Sequence, residues 1–480
     1  MENEKTTFDA LMGELEPSLA KVEEGREINS NEKLSATDFT RLLVYYFASG
    51  LKSGRQLIES AKSADEALNL PKVGRSTFFD GFRRFDEKWY EEMFSTVLSS
   101  ITWQEIPELE LLGKLNVIDG SIFPAISQMK WAEYKEGSQA IRLHLCFELN
   151  RMVPVNFVVG TGKSSEREAL REMLEAETTY IADRGYICFK LLKEITEAKA
   201  HFIIRMRKDL NYEKVETRQV SIPRNYQECF ENVTDELVKL NGTKEKPQYR
   251  LVTFEVGEER YLILTDRLEL TTFEVILLYA YRWQVELMFR YIKHSMNGLH
   301  LLSTSPKGIT IQFHMLLITS LLELRLKQRC VEMLEAVKLP RREGKPVQQN
   351  TLRMGMKIDE PEQKQTCGVS SVGVEEIATP ENDADVEPTL GTRQSCQETE
   401  QIAFGRKNRK VGLNVGCATP EAEFGFVNPS RNSSRGQTFM VIIGQKLYRY
   451  WKISANWLIH LRNRLAKPFD MYTVQWLANA

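Results

Sequence analysis

Residues that build metal centres and disulfide frameworks are scarce in this sequence. Its 480 residues include seven cysteines and six histidines. The cysteines are scattered, odd in number and never spaced as C-x-x-C. This pattern excludes a zinc finger and a disulfide-stabilised secreted scaffold, and it favours a reducing cytoplasmic environment.

The sequence also lacks a long hydrophobic run and a large net charge. No stretch of about 18 apolar residues occurs, and the opening residues MENEKTTFDA are polar and acidic, so we expect neither a membrane span nor a signal peptide. The 64 basic and 66 acidic residues leave a formal charge of −2, so only local charge can indicate a nucleic-acid partner. This length, with 42% hydrophobic residues, predicts a soluble protein of roughly two to four domains.

The N-terminal region is predicted to be helical. Residues 1–35 are polar and are predicted as a flexible arm, whereas 36–106 show apolar residues at helical spacing, interrupted by turn residues. From Arg41 to Phe85 there are eight Lys or Arg residues and four Asp or Glu residues. Short helices that end in a basic helix predict a helix-turn-helix-like DNA-binding region. A plain helical bundle with a solvated basic face explains the same pattern equally well.

The pattern changes after Ile106–Pro107 to one of strands and helices. Three strand segments are followed by helix, strand, helix and strand, at 112–120, 141–149, 151–160, 166–177, 179–186, 188–200 and 201–207. This β-β-β-α-β-α-β order predicts an α/β fold with a mixed sheet, and it matches the ribonuclease H-like fold. Residues 208–270 are mostly β-like, so we expect a catalytic domain over 107–330 that carries a β-rich insertion.

Two segments of unusual composition complete the chain. Residues 339–437 are rich in Gln, Glu, Pro, Gly and Ser and lack periodicity, which predicts a disordered or low-complexity insert. Residues 438–480 predict a helical region in which six Lys or Arg residues, between Lys446 and Lys467, are interleaved with Tyr and Trp. Such a helix suits a phosphate backbone. Docking onto an acidic face of the same protein is an equally good interpretation.

The segment YAYRWQVELMFRYIK, Tyr279–Lys293, is predicted as one amphipathic helix. Thr271 and Glu274 form a capping box before it, and Asn297–Gly298 is a stop signal after it. Taken alone, its polar stripe is typical of an ion-paired helix surface. The side chains on that stripe are Tyr279, Arg282, Glu286, Arg290 and Lys293.

Three carboxylates lie where this order of strands can bring them together. Asp119 is predicted at the end of the first strand, Asp183 at the end of the fourth, and Glu286 on the later helix. The first and fourth strands are neighbours in a ribonuclease H-like sheet. Phosphoryl transfer needs such a cluster, because two Mg²⁺ ions about 3.5–4 Å apart, or Mn²⁺ in their place, are held by carboxylate oxygens. Asp119 is the ligand that both ions would share.

The same residues resemble a known family. VIDGS around Asp119 and IADRGY around Asp183 are similar to the two Asp blocks of DDE transposases of the insertion sequence 4 family. The resemblance implies that Asp119, Asp183 and Glu286 are the catalytic residues and metal ligands. The signature of that family is the spacing Y-x2-R-x3-E-x6-K, which is met by Tyr279, Arg282, Glu286 and Lys293.

The resemblance also implies what the chain binds. Tyr279, Arg282 and Lys293 would hold the phosphates of a transposon end beside a flipped base, and the helix stripe adds Arg290 to them. The implied partner is double-stranded DNA, both terminal inverted repeats and target. We expect a homodimer on that DNA, no membrane, and a cytoplasmic, nucleoid-associated location.

Cut-and-paste transposition is therefore the predicted function. It comprises metal-dependent strand cleavage at terminal inverted repeats and transfer of the freed 3′-OH into target DNA. Two alternatives stay open. One is a ribonuclease H-like nuclease without strand transfer, and the other is a non-catalytic DNA-binding regulator, either decayed or domesticated.

Overall fold

A computed structural model describes most of the chain outside one long segment. The predicted insert at 339–437 and the first part of the predicted C-terminal region, 438–452, lie outside the described residues. The described part is a mixed α/β protein that combines one large sheet with helices. The described residues are 5–26, 31–101, 107–241, 247–257, 259–338 and 453–479.

Ten strands form one mixed sheet in the described residues. They are β1 (Lys114–Ala125), β2 (Glu133–Lys135), β3 (Ser138–Glu148), β4 (Val153–Thr161), β5 (Thr178–Ala182), β6 (His201–Arg205), β7 (Tyr212–Thr217), β8 (Glu231–Leu240), β9 (Gln248–Val256) and β10 (Glu259–Thr265). Their order is β2-β3-β1-β5-β6-β10-β9-β8-β7, and β4 also pairs with β3. β1, β3 and β4 are antiparallel, whereas β5 and β6 run parallel to β1. The predicted α/β class with a mixed sheet is confirmed.

Crossover helices cover the parallel part of this sheet. α7 (Glu166–Glu172) precedes β5, and α8 (Phe189–Glu197) precedes β6. Every residue of β5 is buried, which is the pattern of a parallel strand covered on both faces. The helices and strands share one apolar cluster, which includes Leu170, Tyr180, Leu191, Ile195 and Phe202.

β1 is longer than the sequence predicts. The expected end was Asp119–Gly120, but the strand continues to Ala125, because residues 120–125 pair with β3. Its pairing with β5 runs only from Lys114 to Val117. Asp119 therefore lies inside β1. It is two residues beyond Val117, the last residue of β1 that pairs with β5, in the part of β1 that pairs with β3.

The β-rich segment after β6 continues the same sheet. β10 pairs antiparallel with β6, and β9, β8 and β7 follow in turn. A buried ion pair joins β9 to β8, with Arg250 Nε 2.9 Å from Asp235 Oδ1 and Nη2 2.6 Å from Oδ2. Thr272, the first residue of α9 (Thr272–Tyr281), donates to Asp235 Oδ2 at 2.8 Å. These strands thus fix the start of the helix that leads to the predicted site.

Helices form the regular structure of the described residues before 102. Residues 5–26 differ from the predicted flexible arm, since their helices bury Phe8, Leu15 and Leu19. Arg83 is exposed and forms an ion pair with Asp80, as expected of a solvated basic face. The DNA-binding role of this region stays a prediction. The helices are α1 (Thr7–Met12), α2 (Glu16–Glu24), α3 (Ala36–Ser49), α4 (Gly54–Ser63), α5 (Arg75–Arg84) and α6 (Glu87–Ser99).

The predicted single helix over Tyr279–Lys293 is wrong in its continuity. α9 ends at Tyr281, α10 spans Trp283–Arg290, and a π-helical turn spans Tyr291–Ser295. Between α9 and α10, the Arg282 N–H donates to the carbonyl of Tyr279, three residues back, at 3.1 Å. The backbone keeps right-handed helical dihedral angles through these changes. The spacing of apolar residues in the sequence is therefore nearly that of one continuous helix.

Three more helices complete the described structure, namely α11 (Pro306–Lys338), α12 (453–462) and α13 (Met471–Ala478). By length and composition α11 could cross a membrane, but 83% of its most apolar window is buried inside the protein. That burial is the pattern of a core helix. α12 and α13 bury Trp457 and Val474, so they too belong to the core.

Candidate active site

The register of the sheet places two predicted metal ligands side by side. Val117 of β1 is the partner of Ile181 of β5 in a parallel pairing. Asp119 and Asp183 each follow two residues later, and the backbone at Asp183 is still extended, with φ −86° and ψ 174°. Neighbouring strands lie about 4.8 Å apart, and residues two apart share a face. Both carboxylates therefore project from the same level of the same face.

Backbone amides orient both of these carboxylates. The Gly120 N–H donates to Asp119 Oδ1 at 2.8 Å, and the Arg184 N–H donates to Asp183 Oδ1 at 2.8 Å. In each case the donor is the N–H of the next residue in the chain. Such bonds favour the ionised form of a carboxylate and limit its rotation.

Arg282 connects the strands to α10. Its side chain is only 9% exposed. Nη2 donates to Glu286 Oε1 at 2.6 Å, and Nη1 lies 3.5 Å from Asp119 Oδ2. The charge of Asp183 also acts on this guanidinium. The structure thus brings all three predicted ligands around one arginine.

Burial and charge oppose each other in this cluster. Burial acts to lower the pKa of Arg282, but the surrounding groups, Tyr279, Glu286 and Asp119 foremost, raise it above its ordinary value. Burial raises the pKa of Asp119 to about 6, and Glu286 adds to the rise, while Arg282 and the Gly120 N–H act against it. A buried carboxylate in this state gains from a cation beside it. The cluster therefore favours the binding of positive charge.

Tyr279 faces the same cluster from α9. Its hydroxyl donates to Asp183 Oδ1 at 3.3 Å, and its ring centre lies 5.9 Å from the guanidinium carbon of Arg282. Burial raises the pKa of Tyr279 to about 12, so the hydroxyl keeps its proton near neutral pH. The site thus has a neutral hydrogen-bond donor next to a carboxylate.

Lys293 reaches β1 from the π-helical turn. Its Nζ donates to Ser121 Oγ at 2.7 Å and to the carbonyl of Ile122 at 2.9 Å. Nζ also lies 4.7 Å from the centre of the Phe123 ring. Burial lowers the pKa of Lys293. The lysine is therefore held along the strand that carries Asp119.

Arg290 is the predicted phosphate ligand at the C-terminal end of α10. It is half-buried at the end of α10, one turn beyond Glu286. The π-helical turn begins immediately after it, so the helical wheel that grouped it with Lys293 no longer applies between the two. Its membership of the phosphate-binding group stays a prediction.

Sequence reasoning missed Glu166, the first residue of α7. Its charge raises the pKa of Asp119, together with the larger effect of burial, and its Oε1 accepts from Arg142 Nη1 at 3.1 Å. A Cβ on Gly185, two residues after Asp183, would overlap its Oε2. A glutamate after a helix cap is common for electrostatic reasons alone, so no sequence signal singled it out.

The donor set fits a hard divalent cation by its chemistry. Asp119, Asp183 and Glu286 offer carboxylate oxygens, the ligands that Mg²⁺ prefers. Within the described ranges, no three His, Cys, Asp or Glu side chains lie close enough together to form a metal site. Arg282 instead lies between Asp119 and Glu286 and neutralises them. The carboxylates are thus gathered around positive charge.

Comparison with known proteins points to one family. Residues 112–322 match the family model described as Transposase DDE domain. A transposase candidate of Sinorhizobium fredii, y4zB, is 24% identical over 203 residues, which span 41% of this chain and 56% of that protein. A transposase assigned to insertion sequence element IS5377 of Geobacillus stearothermophilus is 21% identical over 312 residues, 64% of this chain and 81% of that protein.

Two further likenesses are weaker. A transposase assigned to insertion sequence element IS4SA of Synechocystis is 21% identical over 271 residues, 55% of this chain and 75% of that protein. Among solved structures, the piggyBac transposase synaptic complex with hairpin DNA matches with a TM-score of 0.32 and 11% identity. That match covers 72% of this chain and 87% of the other, and its TM-score is too low to support an argument about the fold.

Proposed function

We propose that this chain, whose residues 112–322 match the Transposase DDE domain model, is a DDE transposase that moves an insertion sequence by cut-and-paste transposition. It would bind terminal inverted repeats, cleave the DNA strands there, and join the freed 3′-OH to target DNA. The observation that carries the proposal is the shared register of Asp119 and Asp183 beside the ion pair of Arg282 with Glu286. Their carboxylates and cation are the groups that phosphoryl transfer requires.

Asp119, Asp183 and Glu286 would hold the divalent cations that the family implies, two Mg²⁺ ions or Mn²⁺ in their place. When bound, such ions activate a water or hydroxyl nucleophile and stabilise the charge on the leaving oxygen. Asp119 has a carboxylate beside it on each side, since Asp183 is on the neighbouring strand and Glu286 is across Arg282. This position supports its role as the shared ligand.

Arg282, Tyr279 and Lys293 would bind the phosphates next to the scissile bond. Arg282 Nε is buried and has no hydrogen-bond partner among the described residues, so the guanidinium keeps an unused donor within the cluster. A guanidinium can bind two phosphate oxygens at once, whereas the ammonium of Lys293 acts as a point charge. Tyr279 adds a neutral donor, and Arg290 would extend the same face.

The sheet order supports a ribonuclease H-like fold for the catalytic region. In β4-β3-β1-β5-β6 the first three strands are antiparallel and the last two run parallel to β1. We assign the helices α3–α6 to DNA binding in this proposal, because their exposed face includes basic residues such as Arg83. Cutting two transposon ends together favours a homodimer on the DNA.

Neutral variants of the three carboxylates test the proposal. Asp119→Asn, Asp183→Asn and Glu286→Gln each remove one charge with little change in shape. Each should reduce Mg²⁺-dependent cleavage of the DNA that flanks the reading frame by about 10³-fold or more, on the order of 4 kcal/mol of transition-state stabilisation. Binding of that DNA in a gel shift should persist. Glu172→Gln, an exposed control on α7, should cleave like the unmodified protein.

The products decide between the alternatives. Full cleavage by any of the three variants would contradict the proposed roles. Cut ends that are never joined to target DNA would favour a nuclease without strand transfer. Binding without cleavage by the unmodified protein, in both Mg²⁺ and Mn²⁺, would favour a non-catalytic regulator.

A further inference from the structure

The π-helical turn that carries Lys293 ends in two backbone hydrogen bonds. Such turns are rare and short, and they often occur where function requires them. Here the Met296 N–H donates to the carbonyl of Tyr291 at 3.2 Å, and the Gly298 N–H donates to that of Ile292 at 2.8 Å. A Cβ on Gly298 would lie 2.7 Å from the Ile292 oxygen. The close approach of Gly298 to Ile292 packs the chain tightly at the end of this turn, where other elements also contact it.

Arg462 of α12 supplies such a contact. Its Nη2 donates to the carbonyl of Ser295, the last residue of the turn. Its Nε donates at 3.0 Å to the carbonyl of Ala48, in the last turn of α3. Carbonyl groups at helix C-termini lack intrahelical partners and attract cations. One guanidinium thus satisfies the ends of two helices and holds them together.

The end of α3 leaves room for this guanidinium. Gly50 has φ +76°, a left-handed conformation that glycine adopts readily. A Cβ on Gly50 would lie 2.8 Å from Arg462 Cζ, so a side chain there would push the arginine away. Asn297 Nδ2 adds a second link, since it donates to the carbonyl of Leu51 at 3.2 Å. Arg462 thus joins the last turn of α3 to the π turn, and Asn297 joins the loop after α3 to the segment after the π turn.

α11 contacts the same place through a buried carboxylate. The Tyr291 hydroxyl donates to Glu323 Oε2 at 2.8 Å, and Glu323 is only 2% exposed. Burial raises the pKa of Glu323 to about 8, while the hydrogen bond from Tyr291 and the charge of Arg462 act to lower it. Tyr291, at the start of the π turn, thus contacts Glu323 of α11, and Ser295, at its end, contacts Arg462 of α12.

We propose that Arg462 is a positioning residue of the active site, which fixes the π turn and through it Lys293. The predicted C-terminal region then acts, at least through α12, by supporting the site from within the protein. Arg462 thus affects the chemistry only through the position of Lys293. The inference rests on the proposed function for its cleavage measurement alone, because the order of the turn can be measured without DNA.

Arg462→Gln tests the inference in the full chain, with Arg464→Gln as the matched control. Arg464 lies over the rings of Trp476 and Tyr472, at 4.5 and 5.2 Å. Amide hydrogen exchange over 291–298 should become about tenfold faster in Arg462→Gln, because charged hydrogen bonds to two helix ends are lost. Cleavage of the flanking DNA should fall about tenfold. Arg464→Gln should change neither measurement.

A double-mutant cycle separates positioning from a general structural effect. If Arg462 acts through Lys293, Arg462→Gln should reduce cleavage little further in a Lys293→Ala background. Arg462→Lys should restore part of the protection at 291–298, and it supplies the exchange measurement if the glutamine variant fails to fold. Unchanged exchange at 291–298, or an equal loss of cleavage in both backgrounds, would overturn the inference. If the unmodified protein cuts no DNA, the proposed function fails, while the exchange data still decide the role of Arg462.

Discussion

At the level of single residues, Arg282 must neutralise two carboxylates at once. It does so through separate nitrogens, with Nη2 bonded to Glu286 and Nη1 close to Asp119. A planar guanidinium presents its donors in a fixed fork, whereas lysine offers one compact charge on a flexible stem. The geometry at Arg282 therefore depends on the guanidinium shape as well as on its charge.

Arg282→Lys should thus impair the site although it keeps the charge. We expect cleavage of terminal-repeat DNA to fall by about 100-fold, equivalent to roughly 2.7 kcal/mol. Arg260→Lys, an exposed substitution on β10, is the control and should retain full activity. Kinetics of strand cleavage under single-turnover conditions measure the effect. Equal rates for Arg282→Lys and the unmodified protein would show that charge alone is sufficient at this position.

At the level of elements, features that depend on neighbouring residues can be predicted from the sequence, whereas features that depend on strand pairing cannot. The antiparallel hairpin of β3 and β4 and the capping box of Thr271 and Glu274 are present as predicted, because each depends on residues close in sequence. The extension of β1 beyond Asp119 depends on its pairing with β3, which no local pattern encodes. The π turn that contains Lys293 is contacted by Glu323 and Arg462, and no local pattern encodes these contacts either. Candidate ligands were therefore accessible from sequence, but their register and the support from Arg462 were not.

The buried ion pair of Arg250 and Asp235 leads to a prediction about stability at this scale. Both side chains are almost fully buried, and Asp235 also holds Thr272 at the start of α9. Arg250→Met leaves Asp235 as an uncompensated buried charge, so the free energy of unfolding should fall by about 3–5 kcal/mol. Denaturant unfolding measures this loss.

An exposed ion pair provides the control for that measurement. Lys163 and Glu133 lie 2.9 Å apart with side chains 56% and 67% exposed. Lys163→Met should change the free energy of unfolding by less than about 1 kcal/mol, because solvent screens such pairs. A similarly small loss in Arg250→Met would mean that the buried pair does not stabilise the β-rich strands or the start of α9.

At the level of the whole molecule, segments far apart in sequence form one structure. The Phe8 N–H donates to the carbonyl of Leu465 at 3.0 Å, and the Phe469 N–H donates to that of Lys5 at 2.9 Å. Arg462 adds its contacts to α3 and the π turn. Within the described residues, the segment after 453 therefore supports both the N-terminal helices and the candidate site.

A chain that stops at residue 338 should consequently fail to fold cooperatively. Full burial of a large apolar side chain contributes about 2 kcal/mol, and the net stability of a domain is only about 5–15 kcal/mol. Thermal melting followed by circular dichroism should show no sharp transition in the truncated chain, whereas Ile459→Ser, at a side chain 53% exposed on α12, should melt normally. A truncated chain that melts like the full protein would instead leave the C-terminal helices free for DNA binding. The buried side chains that the truncation removes are Trp457, Leu458, Leu461, Leu465, Val474 and Leu477.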